Sequence, residues 1–307
     1  MDTYLSKVQT NAIRGVAACM IVVAHYVNRI NTTSTGLTIP LINKIGRYGV
    51  VIFFICSGYG LMESYKKDSD LNGFWSKRLK SVLLPYWLIQ FLSLSLLFEA
   101  KVSERGCNGL IQWFSGIEHW YILVSILLYF GFWLSAKIAK NHLVLGNIVG
   151  ATLINLILIL CQAEDYWYMS NYTFILGILV SVYKEKLYEL INLKTMTVSG
   201  VLFAMSSVIY AKLSYIYPIY FVGKNLAAIF WGILVLHVLK YLPVKNKILQ
   251  SLGTCSLFIY VIHVNVLEYL EINNIEDLGI LGISLCFVFA VAILLNFLYM
   301  RVAMKRK

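Results

Sequence analysis

The chain has 307 residues, of which 59% are hydrophobic and 13% are charged, and its mean hydropathy is +0.73. These values lie far outside the range of soluble globular proteins and predict a polytopic membrane protein. The formal net charge is +11, but the basic residues are spread over short segments between apolar runs, which argues against the continuous basic patch of a nucleic-acid-binding protein.

Ten apolar runs are long enough to cross about 30 Å of hydrocarbon as helices. They predict an all-α, polytopic membrane bundle of about ten transmembrane helices, at residues 12–30, 47–65, 82–99, 117–136, 143–161, 168–183, 196–213, 217–239, 248–270 and 278–300. No long linker, charge block or internal repeat separates these runs. The sequence therefore predicts a single integral membrane domain over residues 1–307.

The connections between the runs alternate in charge. Most lysines and arginines lie at the termini and after the second, fourth, sixth and eighth runs, whereas the other connections collect Glu164, Asp165, Glu271, Glu276 and Asp277. By the positive-inside rule, both termini are predicted to be cytoplasmic, which requires an even number of spans. We call the helix ends predicted to face the cytoplasm inner ends and the opposite ones outer ends.

The first run carries two ionisable residues, Arg14 towards its inner end and His25 towards its outer end. Ionisable side chains within a membrane span are costly and therefore indicate function. Their spacing of eleven residues returns to within about 20° of the same helix face and separates the Cα atoms by about 16 Å along the axis. The alternatives are that Arg14 extends to the cytoplasmic headgroups and that His25 is a structural hydrogen-bonding residue.

The second run ends in GVVIFFICSGYGL, where small residues permit close helix packing and the Ser57 and Tyr59 hydroxyls can satisfy buried partners. The connection that follows is the most basic in the chain and contains Lys77, Arg78 and Lys80. These cations suit either a phosphorylated ligand or anionic lipid headgroups on the cytoplasmic side, or they serve only as the topology signal.

Two further histidines have open interpretations. His119 follows Glu118 just before the fourth transmembrane segment, so the pair is either an acid–base dyad or a polar cap at the membrane interface. His263, three residues after Tyr260, either orders a partner, lines an acceptor site or packs in the bundle. No histidine or cysteine spacing typical of a metal site is found, and five of the six cysteines lie in apolar runs, which argues against a disulfide framework.

In this order, these residues resemble the acyltransferase 3 family of integral membrane acyltransferases. Arg14 and His25 match the family's basic residue, ten intervening residues and histidine, and GVVIFFICSGYGL resembles its second-helix signature. KRLKSVLLPYW, HWYILVSILLY, NYTFILGILV and LGTCSLFIYVIH resemble later signatures, so the resemblance covers nearly the whole chain. The basic connection departs from the family pattern of two arginines three residues apart, because Arg78 is followed at that interval by Ser81. Neighbouring lysines can supply charge without the bidentate geometry of arginine.

The resemblance implies an acyl-CoA donor from the cytoplasm, most often acetyl-CoA, no bound cofactor, and a hydroxyl acceptor on a cell-surface or exported glycan across the bacterial cytoplasmic membrane. It implies that His25 is the general base, a role worth about 10² to 10⁴ in rate, with a transient acyl-imidazole as the variant. Arg14 would hold the donor phosphate or polarise the thioester, and Ser57 or Tyr59 would help stabilise the oxyanion. The other residues that would contact substrate are Lys77, Arg78, Lys80, Tyr260 and His263.

Two other functions fit the same sequence. A transporter or flippase of a glycan intermediate would also need a polar path through a bundle, although the paired broken helices and inverted repeats typical of transporters are not evident in the sequence. An acyltransferase of a non-glycan acceptor, such as a lipid, a macrolide or a peptide, is equally compatible. The apolar runs identify neither the acceptor, the acyl length nor the oligomeric state.

Overall fold

A computed structural model describes residues 4–32, 44–103, 106–242 and 244–304. The regular elements in these ranges are all helical, which confirms the predicted all-α polytopic fold. The α-helices are α1 (Lys7–Thr32), α2 (Ile45–Lys67), α3 (Phe74–Arg78), α4 (Leu84–Ser103), α5 (Cys107–Ser115), α6 (Trp120–Ile138), α7 (Leu143–Leu160), α8 (Tyr172–Val182), α9 (Lys184–Leu190), α10 (Leu193–Lys212), α11 (Tyr217–Tyr241), α12 (Lys247–Thr254), α13 (Ser256–Ile272) and α14 (Leu278–Met304). A π-helical segment, Leu79–Leu83, joins α3 to α4.

Eight helical segments of the described chain are long and apolar enough to cross a membrane, and the bent pair α12–α13 makes nine. The remaining predicted run, 168–183, contains α8, which has only 11 residues and at 1.5 Å per residue is about 16 Å long. Most residues of α8 are buried. This helix is too short to cross the hydrocarbon layer by itself, so the predicted inner and outer ends that follow it require the segment 168–183 to connect the two sides within the protein.

The contacts divide the chain into two compact units, whose boundaries fall within α1, α2 and α6 and in the connections before α3 and α12. The first unit comprises Met1–Thr10, Val50–Asn72 and Val124–Val244. The second comprises Asn11–Gly49, Gly73–Leu123 and Lys245–Lys307.

In the first unit, glycines bring α2 and α8 into backbone contact. A Cβ atom at Gly58 would lie 2.0 Å from the carbonyl oxygen of Phe174, and one at Gly177 would lie 2.1 Å from that of Ile55. Ala228 of α11 packs against Ile55 in the core of this unit. The small residues in the second predicted run are thus explained by close helix packing.

In the second unit, glycines have the same role where α1 crosses α12. A Cβ atom at Gly15 would lie 2.1 Å from the carbonyl oxygen of Leu249, and one at Gly253 would lie 1.8 Å from that of Asn11. After this crossing the chain bends by 68° between α12 and α13, and α13 packs against α4 and α14. The helix that carries Tyr260 and His263 is therefore positioned by the crossing next to Arg14.

Side-chain contacts in the second unit join helix ends that the charge pattern assigns to the same side. At the inner ends, the Tyr299 hydroxyl of α14 donates a hydrogen bond to the Lys80 carbonyl oxygen. At the outer ends, Lys101 of α4 forms ion pairs with Glu118, just before α6, and with Glu268 of α13. The alternation of inner and outer ends predicted from the sequence is consistent with these contacts.

Candidate active site

His25 of α1 and His263 of α13 form a hydrogen-bonded pair in the second unit. His25 Nδ1 lies 3.1 Å from His263 Nε2, and the ring centroids are 5.0 Å apart. His263 is fully buried, whereas His25 is exposed. The structure thus brings together two of the predicted site residues, one accessible to a substrate and one enclosed behind it.

The other nitrogen of His263 decides where the hydrogen atoms of this pair lie. His263 Nδ1 is 3.0 Å from the carbonyl oxygen of Ile259, one turn earlier on α13. A carbonyl oxygen can only accept, so Nδ1 carries the hydrogen, and Nε2 of the neutral ring accepts from His25 Nδ1. We therefore assign to neutral His25 the tautomer with its lone pair on Nε2. That nitrogen has no hydrogen-bond partner among the described residues.

Tyr260 covers one side of His263. Their ring centroids are 5.7 Å apart, with an interplanar angle of 62°. The same tyrosine ring makes edge-on contacts with His119 at 6.2 Å and with Tyr121 at 5.4 Å between centroids. Because Tyr260 is almost fully buried, it fixes the orientation of His263 and separates it from a second polar cluster around His119.

The outer end of this second cluster is an ion triad. Lys101, which is 8% exposed, pairs with the carboxylates of both Glu118 and Glu268. Its ammonium group also lies 5.7 Å from the centroid of the Trp113 ring. Two carboxylates neutralise this cation, so the triad holds the outer ends of α4 and α13 together and leaves no unpaired positive charge at this position.

His119 is 1% exposed, and its ring contacts Tyr86 edge-on at 5.4 Å between centroids. Neither ring nitrogen has a hydrogen bond of ordinary geometry within the described ranges, although the Asn265 side chain lies close to the imidazole. Since the Glu118 carboxylate binds Lys101, the alternative of a hydrogen-bonded Glu118–His119 dyad is not formed.

Buried amides connect α4 to α13 beside His119. Asn265 Nδ2 donates to Gln90 Oε1 at 2.8 Å and to Ser93 Oγ at 2.9 Å, and Gln90 Nε2 donates to the Tyr86 hydroxyl at 3.2 Å. In the described part of the chain, four buried polar atoms of this cluster lack an ordinary hydrogen bond: Trp113 Nε1, His119 Nδ1, His119 Nε2 and Asn265 Oδ1. Buried polar atoms without an ordinary hydrogen bond indicate a place for water or a ligand, although the Asn265 side chain and the Val261 backbone lie close to His119.

The predicted donor-binding cations lie at inner ends of the second unit. Arg14 is half-buried and forms no ion pair with a described residue. Lys77 and Lys80 are exposed, and the half-buried Arg78 lies over the Phe74 ring at 5.4 Å from its centroid. Arg14 is separated from the histidine pair by about 16 Å along α1, so the structure does not bring it to the basic nitrogen.

Ser57 and Tyr59 belong to the first unit. The Tyr59 hydroxyl donates to the carbonyl oxygen of Leu5 at 3.2 Å, and its ring lies 5.8 Å from the Lys184 ammonium group. Ser57 Oγ accepts a hydrogen bond from Tyr129 at 3.3 Å. The hydroxyl hydrogen of Tyr59 is therefore committed to the backbone, and a role in stabilising an oxyanion would require that bond to break.

Sequence reasoning did not select Lys101, Glu268, Gln90 and Asn265 as site residues. A signal was available for two of them, because Gln90 and Asn265 are polar residues in the middle of apolar runs and such residues indicate function or helix association. The described ranges contain no group of three His, Cys, Asp or Glu side chains that could hold a metal ion.

Comparison with known proteins adds a family assignment. Residues 8–299 match the acyltransferase 3 family model, described as an acyltransferase domain. No curated protein and no solved structure gives a significant match. The matched region contains both histidines of the pair, the basic connection and the outer ion triad. Because the match covers almost the whole length, the chain belongs to the acyltransferase 3 family of membrane proteins.

Proposed function

We propose that this protein is an O-acyltransferase that moves an acyl group, above all acetyl, from cytoplasmic acyl-CoA to a hydroxyl of a cell-surface or exported glycan. Membership of the family supports acyl transfer in a membrane. The observation that carries the proposal of a hydroxyl acceptor is the His25–His263 hydrogen bond, which leaves an accessible basic nitrogen on His25.

In the proposed reaction, His25 Nε2 removes the proton from the acceptor hydroxyl while its oxygen attacks the thioester carbonyl carbon. The tetrahedral intermediate then collapses, the bond between carbon and sulfur breaks, and the imidazolium returns the proton to the departing CoA thiolate. His263 Nε2 accepts the hydrogen bond from His25 Nδ1 throughout, which holds the ring and stabilises its positive charge. A base oriented by a second buried group follows the logic of catalytic triads.

The donor would approach from the opposite end of the second unit. The CoA phosphates would meet the exposed Lys77 and Lys80 and the half-buried Arg78, which lie at inner ends. Arg14 has no carboxylate partner among the residues described, so its charge is available for a phosphate or for the thioester carbonyl. The pantetheine arm would then cover the distance of about 16 Å from the depth of Arg14 to that of His25.

Transport of a glycan intermediate is the second candidate function, and one observation favours it. The described chain contains a helix pair, α12–α13, bent by 68°, and broken helices are typical of substrate sites in transporters. This bend lies on the same helix as His263. A measurement of transfer therefore has to separate the two functions.

The test is transfer of labelled acetyl from acetyl-CoA in membranes that contain the wild type, His25→Ala or the control His142→Ala. His142 is an exposed residue outside the predicted catalytic positions. We expect His25→Ala to lose about 10² to 10⁴ in rate at equal expression and membrane insertion, and His142→Ala to keep the wild-type rate.

Equal rates in the wild type and His25→Ala would refute the assignment of the base. If wild-type membranes transfer no acyl group from acetyl-, butyryl- or palmitoyl-CoA, while a glycan intermediate crosses the membrane only when the protein is present, transport is the correct function.

A further inference from the structure

A groove of about 510 Å³ lies on the second unit between α4, α13 and α14. This volume is within the range of about 300 to 1,000 Å³ that is typical of ligand-binding clefts. Its walls are mainly hydrocarbon, with Leu92 and Leu96 from α4, Val266 from α13, and Phe287 and Val291 from α14. Since all three helices belong to membrane-spanning segments, the groove opens towards lipid and suits a hydrocarbon chain.

The position of the groove along the helices indicates from which side an occupant enters. The lining residues of α13 lie between 262 and 270, close to its outer end at Ile272, and those of α14 run from 280, close to its outer end at Leu278, to 295, just past the middle of the helix. The predicted donor-binding cations lie at the inner ends. The occupant therefore comes from the outer leaflet, on the side opposite to acyl-CoA.

Polar side chains connect the groove to both parts of the site. Ser284 lines the groove and accepts a hydrogen bond from the hydroxyl of Tyr26, the residue next to His25, at 3.0 Å. Asn265 also lines the groove, is 4% exposed, and together with its partners Gln90 and Ser93 forms what we call the amide cluster beside His119. The polar end of an occupant would thus meet Asn265 and Ser284, and these side chains contact His119 and the neighbour of His25, respectively.

The chemistry of this polar cluster selects the head of the occupant. Within this cluster of the described chain, the buried atoms that lack an ordinary partner are the amide oxygen of Asn265, which lines the groove, and the Trp113 indole N–H and His119 imidazole, which do not. The rings of Tyr86 and Tyr260 flank the His119 ring. Such groups suit hydroxyls and the apolar face of a sugar ring. The ammonium group of Lys101 already has two carboxylate partners, so it does not offer an unpaired charge to an anionic head.

We infer that the groove between α4, α13 and α14 binds the hydrocarbon chain of a glycolipid in the outer leaflet, whose uncharged, hydroxylated head is the acceptor. This inference rests on the proposed acyl transfer and specifies the acceptor as lipid-anchored. It also assigns the amide cluster to acceptor binding, a role that does not require contact with the donor.

The test uses dodecyl glucoside that carries a diazirine in its alkyl chain, added to the full-length protein in phospholipid vesicles without acyl-CoA. Light-induced labelling is mapped by mass spectrometry. We expect label on α4, α13 and α14 that unlabelled dodecyl glucoside removes and methyl glucoside does not. Because no donor is present, the result is independent of catalysis, and a failure of the proposed acyl transfer would not mimic a failure of this inference.

Three variants sharpen this test. Val291→Trp and Leu96→Trp place a large ring in the groove, and the matched control Leu294→Trp adds the same ring to a neighbouring lipid-facing position of α14 outside the groove. We expect at least a tenfold loss of competed labelling in both groove variants and no loss in the control. Leu96 is largely exposed, so its substitution does not disturb the core.

Two outcomes would overturn the inference. Label spread evenly over lipid-exposed helices such as α7 and α10, or unchanged in both groove variants, would mean that bulk lipid fills the groove. Displacement by palmitoyl-CoA but not by excess dodecyl glucoside would assign the groove to the donor chain instead.

Discussion

The hydrogen bond between His263 Nδ1 and the Ile259 carbonyl oxygen determines which nitrogen of His25 carries the hydrogen and which is free to act as a base. It forces the hydrogen of His263 onto Nδ1, which in turn places the hydrogen of His25 on its own Nδ1. The accessible nitrogen of His25 is thereby kept in its basic form. His263 acts as a positioning residue, because it is fully buried and acts on the substrate only through His25.

This assignment predicts different effects for two substitutions of His263. His263→Phe keeps an aromatic ring but removes the acceptor for His25 Nδ1, so we expect kcat to fall at least tenfold, which is about 1.4 kcal/mol of activation free energy, with KM for acyl-CoA unchanged. His263→Gln can present an amide oxygen to the same hydrogen and should recover part of kcat.

The measurement is the separation of kcat from KM for both variants at matched membrane levels. Equal losses in the two variants, accompanied by a higher KM, would indicate a general packing defect and contradict the positioning role.

The sequence indicated His25 and His263 as separate candidates but did not indicate that they form a hydrogen bond with each other. Arg14 and His25 were recognisable because ionisable groups are rare inside membrane spans and because their spacing is helical. The partner of His25 is 238 positions away in the sequence, so no local pattern reports the contact. The tautomer depends further on a backbone carbonyl, which every residue possesses and which therefore leaves no trace in the sequence.

At the scale of helices, backbone contact at glycines positions the elements that carry the site. The crossing of α1 and α12 is the tightest in the second unit, since a Cβ atom at Gly253 would lie 1.8 Å from the Asn11 carbonyl oxygen. Backbone atoms on both sides leave no flexible side chain to move aside. We expect Gly253→Ala to lower the free energy of unfolding by about 1 to 3 kcal/mol.

The midpoint of thermal inactivation of the purified protein measures this loss. The matched control is Gly200→Ala in α10, where the nearest atom to an added Cβ is a Leu234 side-chain carbon at 4.0 Å. Alanine is the better helix former by up to about 1 kcal/mol, so this control should be neutral or slightly more stable. A Gly253→Ala protein that matches the control would show that the two helices can separate without cost.

Nine of the ten runs predicted from hydropathy coincide with long apolar helices or with the bent pair in the described chain, and the prediction was limited in two places for physical reasons. The segment 168–183 is apolar because α8 is buried inside its unit, and apolar burial in protein and in lipid produce the same composition. The bend between α12 and α13 falls in the most polar part of the run 248–270, which contains Gly253, Thr254 and Ser256, but such a stretch does not by itself predict a change of direction. Only the packing of Gly253 on α1 and of α13 on α4 and α14 shows why the chain changes direction there.

For the molecule as a whole, the proposed chemistry depends on a difference between the two membrane faces. The inner ends of the second unit hold the cations suited to a phosphorylated donor, and the outer ends hold the ion triad of Lys101, Glu118 and Glu268, the amide cluster and the mouth of the groove. The positive-inside rule could predict this polarity from charge counts. It could not predict that Glu268, which is far from Lys101 and Glu118 in the sequence, would meet them in one partly buried triad.

This polarity predicts the labelling pattern of two single-cysteine proteins treated with a membrane-impermeant maleimide. Cys107, exposed at the start of α5, should react in intact cells when the other five cysteines of the six are replaced. Lys186→Cys, in the exposed inner helix α9, should react only after the membrane is permeabilised. Retained acyl transfer in both proteins would verify that replacing the buried Cys255 has not disturbed the fold. The reverse pattern would place the basic connection and the donor outside the cell, where acyl-CoA is not supplied, and the His25 mechanism would then need a different acyl donor.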